Sequence, residues 1–90
     1  MKARVRVFLK PSVFDPQGST VAQALKRIGF EEVMNARIGK TIDLELDATD
    51  RETAKKRVAA MCEKLLANSV IESYSIEILG EISGEIEEGG

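Results

Sequence analysis

Few side chains in this sequence could do chemistry, and each stands alone. There is no histidine among the 90 residues, so the commonest proton shuttle and metal ligand is missing. The single cysteine, Cys62, is the one candidate nucleophile. Helical spacing places it among Val58, Leu65 and Leu66, and a thiol in an apolar stripe with no histidine partner reads as core. Glu63 and Glu72 are the nearest approach to an acid–base pair, but nothing in their spacing makes them meet, and both read as solvated surface. Asp15 lies in Asp15-Pro16-Gln17-Gly18, where every residue type suits a turn, so it reads as a loop former rather than a catalyst. Arg4, Arg6, Arg37 and Lys40 could gather into a small anion-binding patch. As single charges on strand faces they are expected to solvate the sheet or meet an acidic partner. Tyr74 is expected in the core or at an interface, with its hydroxyl on a polar neighbour. The glycines form neither a Walker A loop nor a dinucleotide fingerprint, and no Cys/His cluster can hold zinc. This inventory suits a binding or assembly module better than an enzyme acting alone.

Bulk properties narrow the class further. A 90-residue chain makes one thin domain whose core is marginal unless a partner extends it. Hydrophobic residues are 43% and charged residues 31%, with net charge -2, which gives no basic footprint for nucleic acid. One cysteine cannot staple the chain, and Lys2 onward alternates charged and apolar residues as no secretory signal does. No apolar run reaches the ~20 residues of a membrane span. The expectation is a cytoplasmic protein.

The elements that must position these residues can be read from periodicity. Lys2 to Lys10 alternates, with Ala3, Val5, Val7 and Leu9 on one face, and reads as a strand stopped by Pro11. Ser12 to Gly18 reads as a loop. Thr20 and Gln23 have capping-box spacing, which predicts a helix from about Val21 to Ile28 burying Val21, Ala24, Leu25 and Ile28, with Gly29 as its left-handed stop. Ile38-Gly39-Lys40-Thr41 resembles a tight hairpin, but that register would put apolar and charged residues on the same side. Read as one strand, Met34, Ala36, Ile38, Ile42, Leu44 and Leu46 share a face that only Lys40 interrupts. A single strand from about Val33 to Asp47, bent near Gly39, is therefore predicted, with a bulged hairpin as the alternative. Roughly 14 residues at about 3.3 Å each outrun the other strands, so part of it should offer an open edge to a second copy of the chain.

Thr49 and Glu52 form another capping box, and a second helix should run from about Asp50 to Ala67. Its buried stripe would be Ala54, Val58, Met61, Cys62, Leu65 and Leu66, and Asn68 its left-handed cap. A last strand should run from Val70 to Leu79. The fold class is α+β, β-α-β-α-β, with one long bent central strand, two helices on one face and dimerisation through the sheet; a ferredoxin-like β-α-β-β-α-β arrangement is the runner-up. Residues 1–79 make the domain, and 80–90 an acidic Gly/Glu-rich tail.

Several segments occur here in a familiar order. They are Val5-Arg6-Val7-Phe8-Leu9-Lys10-Pro11, Asp15-Pro16-Gln17-Gly18, Ile28-Gly29-Phe30, Arg37-Ile38-Gly39-Lys40, and Met61 to Glu72 followed by Tyr74. Together they resemble the PurS family, the small subunit of phosphoribosylformylglycinamidine (FGAM) synthase, from Val5 to Ile78. Ser69 departs from the family's frequent proline, which relaxes the helix-to-strand turn, and Phe14 stands where a smaller aliphatic is usual. The resemblance implies a dimer, or a tetramer, that joins a synthetase subunit (PurL) and a glutaminase subunit (PurQ). Their complex converts formylglycinamide ribonucleotide, glutamine, ATP and water to formylglycinamidine ribonucleotide, glutamate, ADP and phosphate. ATP and magnesium would belong to the synthetase, and this chain would bind no cofactor or metal and carry no catalytic residue. Its role would be assembly and the protected passage of ammonia, with no nucleic-acid or membrane partner. Residues placed at the partner interface are Asp15, Pro16, Gln17 and Gly18, then Arg37, Gly39 and Lys40, with Asn68 and Tyr74. The rival readings are a stand-alone dimeric small-molecule sensor, and a minimal enzyme using Cys62.

Overall fold

A computed structural model describes residues 1–48 and 50–80. The element order is β-α-β-α-β, as the periodicity predicts. The proposed Thr49 cap and the tail beyond Gly80 lie outside the described residues.

The alternation at the N-terminus produces the central strand. β1 spans Lys2–Leu9 and buries Ala3, Val5 and Val7. β2, Gly39–Glu45, and β3, Glu72–Gly80, flank it antiparallel in the order β2-β1-β3. Val5 lies opposite Ile42 on one side and Ile76 on the other, so the apolar positions of all three strands share one face. On the other face the strands are stitched by charge. Arg4 grips Asp43 through two hydrogen bonds of 2.8 and 3.2 Å, and Arg6 lies 3.7 Å from Glu77.

The hydrogen-bond phase fixes which backbone groups remain open. Lys10 N donates to Ile71 O, while Met1 and Leu46 exchange bonds of 3.0 and 2.7 Å. Bonded pairs alternate in an antiparallel ladder, so odd residues of β1 bond to β2 and even residues to β3. The outward groups are then those of Gly39, Thr41, Asp43 and Glu45 on β2, and of Tyr74 and Ile76 on β3. Both outer strands present an open edge within the described chain.

Helix α2, Arg51–Met61, covers the apolar face. Its N-cap is Asp50, whose carboxylate accepts from Thr53 N at 3.3 Å. Val58 and Cys62 meet Val5 and Val7 in the fully buried core; burying one such valine contributes roughly 1.5–3 kcal/mol. The last turn, Cys62–Leu66, is π-helical. An extra residue per turn shifts the phase of the side chains around the helix axis, so Leu65, placed in the buried stripe by α-helical spacing, is 82% exposed while Leu66 packs on the core. The helix ends at Ala67 in extended conformation, and no residue other than glycine has positive φ among those described. Asn68 is therefore not a left-handed cap; its side chain instead accepts from Val70 N in the turn that follows the helix.

Helix α1 departs most from expectation. It spans Pro16–Arg27, with Asp15 as N-cap and Pro16 in the first turn. The Asp-Pro-Gln-Gly segment is the start of the helix, not a loop before it. The residues it buries are Gly18 and Ala22, whereas Val21 and Ile28 are exposed. The reason is placement: the core cluster contains β1 and α2 residues and none from α1, so the apolar face of α1 has no sheet beneath it. Gly29, at φ +116°, turns the chain as expected. The predicted long strand is also shorter, because β1 ends at Leu9 and its pairing with β2 starts at Phe8 and Gly39. Val33 to Ile38 has no ladder partner among the described residues.

Candidate functional site: a cleft at the head of the sheet

The C-terminal end of β1, the first turn of α1 and the first residues of β2 and β3 surround a cleft of about 340 Å³. Its geometry is set by one carboxylate and one guanidinium. Asp15 is buried at 5% exposure. It accepts from Gly18 N at 2.8 Å, which caps α1, and from Ile38 N at 2.7 Å, which pins the chain just before β2. These two backbone donors, the Ile38 bond foremost, hold its carboxyl below the usual carboxylate range. Arg37 donates to Lys10 O and Val13 O at 3.0 and 2.9 Å, tying the β1–α1 connection to the segment before β2. Gly18 is required by closeness: a Cβ there would overlap the Ala36 carbonyl oxygen and lie 2.8 Å from its carbon.

The turn after α2 joins the same end of the sheet. Asn68 Oδ1 accepts from Val70 N, its carbonyl accepts from Ile71 N and Glu72 N, and its own N–H donates to Glu72 Oε1 at 2.7 Å. Lys10 Nζ reaches Ser69 O at 2.9 Å. The structure thus gathers the Asp15–Gly18, Arg37–Lys40 and Asn68 groups named from the sequence around Lys10. Tyr74 is separate. It packs against the core, and its hydroxyl donates to Glu63 Oε2 at 2.8 Å, an interaction that raises its pKa.

Sequence reasoning missed Lys10, whose backbone and side chain tie three segments together. Its signal was its place at the last alternating position before Pro11. It also missed the helix cap at Asp15, although Asp followed by Pro at the first helical position is a start signal as well as a turn signal. Arg4 and Arg6 pair with acids instead of forming an anion patch with Arg37 and Lys40.

Chemically, the cleft can bind and it can couple segments. Cys62 lies in the core, away from it, and burial pushes its thiol pKa up, the opposite of an activated nucleophile. Glu63 and Glu72 are committed to different partners, Tyr74 and Asn68. No group of three or more metal-ligating side chains occurs among the described residues, and no described helix is long and apolar enough to cross a membrane.

The family model described as "PurS: Phosphoribosylformylglycinamidine (FGAM) synthase" matches residues 2–80. The PurS subunit of this synthase from Bacillus subtilis is 49% identical over 77 residues, covering 86% of this chain and 90% of the relative. That from Synechocystis is 48% identical over 75 residues, covering 83% and 75%. A solved structure of Bacillus subtilis PurS superposes with a TM-score of 0.76 at 50% identity, covering 84% of this chain and 94% of that one. A chain in the structure of PurLQS from Thermotoga maritima gives 0.78 at 36% identity, covering 84% and 93%. A family match that runs from Lys2 to Gly80, with solved structures of the family superposing over 84% of the chain, means that this chain belongs to the PurS family.

Proposed function

We propose that this chain is the small, non-catalytic subunit of a phosphoribosylformylglycinamidine synthase, the step of purine biosynthesis that transfers glutamine nitrogen to formylglycinamide ribonucleotide at the expense of ATP. The observation that carries this reading is the family match over residues 2–80. The likeness to a chain of a PurLQS complex supports it. Glutamine hydrolysis falls to a PurQ-type glutaminase and phosphoryl transfer, with its ATP and magnesium, to a PurL-type synthetase. This chain bridges the two, assisting assembly and ammonia passage. The head of the sheet, with Asp15–Gly18, Arg37–Lys40 and Asn68, is the partner surface.

The working unit of this reading is a dimer formed through the sheet. The outer edge of β2 is open, Val33 to Ile38 has no strand partner, and Met34 is 89% exposed. Ile42 and Leu44 are only partly buried on a face that a single helix covers. A second copy pairing along this edge would bury all of them.

Reconstitution tests the role. With PurL- and PurQ-type partners, glutamine-driven product formation should require this chain, while ammonia-driven formation by the synthetase persists without it. If omitting the chain changes neither rate and no complex forms on gel filtration, the proposal fails.

A further inference from the structure

Two charged residues occupy positions where the alternation calls for apolar ones. Lys40 alone interrupts the stripe from Met34 to Leu46, and Glu72 begins the β3 stripe that continues as Tyr74, Ile76 and Ile78. The register puts both at one end of the apolar face. Lys40 is opposite Val7 on one side of β1, and Glu72 is opposite Leu9 on the other. Both line the cleft, with Val7 and Leu9 between them and the first turn of α1 alongside. They do not pair with each other: the ion pairs among the described residues are Arg4–Asp43 and Arg6–Glu77. Glu72 is held in place, since its Oε1 accepts from Asn68 N at 2.7 Å, and this leaves its second oxygen unassigned. At the helix end Asp15 already takes Gly18 N through its carboxylate and Ser19 N through its carbonyl. Lys40 is the cationic side chain among the residues that line the cleft.

We propose that the cleft is a binding site for a free α-amino acid. The carboxylate of the ligand would lie on the Lys40 ammonium, its own ammonium on the Glu72 carboxylate, and its side chain over Val7 and Leu9. A cation and an anion on opposite walls of an apolar-floored cleft complement a zwitterion. A ligand of single charge would leave one of them unpaired, and that difference is the source of selectivity. The volume of about 340 Å³ falls within the range of small-molecule sites.

The site is argued from geometry alone, but the choice of probe, L-glutamine, rests on the proposed subunit role. The experiment is a titration of the isolated chain followed by amide chemical shifts. Saturable shifts are expected at Val7, Leu9, Gln17, Lys40 and Glu72, with N-acetyl-L-glutamine, which lacks the ammonium, binding roughly tenfold weaker. Lys40→Ala and Glu72→Gln should each weaken glutamine by a similar factor; the second keeps an acceptor for Asn68 N, so the turn survives. Absence of saturable shifts, shifts equal for the two ligands, or shifts unchanged in both variants would overturn the proposal. None of these results bears on the reconstitution assay, so the site and the subunit role fail separately.

Discussion

Substituting Gly18 by alanine tests whether the junction of α1 with the segment before β2 is as tight as the structure shows. Helix propensity taken alone favours the change, by about 1 kcal/mol for alanine over glycine in a helix. The structure opposes it. The added Cβ would overlap Ala36 O, lie 2.8 Å from Ala36 C and 3.0 Å from Asp15 Oδ2. Two of these three neighbours are backbone, which cannot rotate away, so α1 and the 36–38 segment must separate by an ångström or so. Separation lengthens the 2.7 Å bond from Ile38 N to Asp15. Overpacking costs about 1–3 kcal/mol, and a weakened buried hydrogen bond adds about 1 kcal/mol. Set against the propensity gain, the net loss is roughly 2 kcal/mol. For a domain of this size that is a fall in Tm of about 8–16 °C. Thermal unfolding by circular dichroism at one fixed protein concentration measures it, with Gln17→Ala in the same turn as the control, expected within about 0.5 kcal/mol of wild type. A Gly18→Ala protein as stable as wild type, or more so, would refute the close approach.

Asp15 should make stability depend on acid. Its folded pKa is lowered, so its contribution is present above the unfolded value near 3.8 and is lost as pH falls through the folded one. Urea midpoints between pH 7 and pH 2 should fall less steeply for Asp15→Asn than for wild type. Cys62 has a raised pKa, so the stability linked to it is full below the unfolded pKa and declines as pH rises through the folded one. In the native protein it should resist alkylation at pH 8 and react within minutes in denaturant, followed by mass spectrometry. The π-helical turn predicts a contrast between neighbours. Leu65→Ala should change protomer stability by less than about 0.5 kcal/mol, while Val58→Ala, in the core, should cost about 2 kcal/mol. Finally, Met34→Lys should leave the secondary structure intact while shifting gel-filtration elution toward the monomer.

How far the sequence could be read depended on what each signal measures. The strand face Ala3-Val5-Val7 and its match with Ile42-Leu44 and Ile76-Ile78 were legible, because alternation reports burial directly and burial is what pairs these strands. Helix α2 was legible for the same reason as far as Cys62. Leu65 was not, because a π-helical turn is a local change of phase that no residue type announces. The start of α1 was misplaced because aspartate and proline serve turns and helix N-termini equally well. In the structure the carboxylate caps the helix through Gly18 N, and its other oxygen takes the Ile38 amide, 23 residues away. That the segments at the head of the sheet come together was not legible. Asp15, Arg37 and Asn68 are polar residues in connecting segments, which alone says little about whether they meet. Their meeting depends on Lys10, a strand-end lysine like many others.

The double use of Asp15 has a consequence for how this end of the molecule opens. One carboxylate completes the first turn of α1 and holds the chain where β2 begins, so neither can loosen without removing a partner from the other. Helix start and strand start should therefore exchange their amide hydrogens as a single unit, with Gly18 and Ile38 showing the same opening free energy. A partner that grips either side of the cleft would then slow exchange on both.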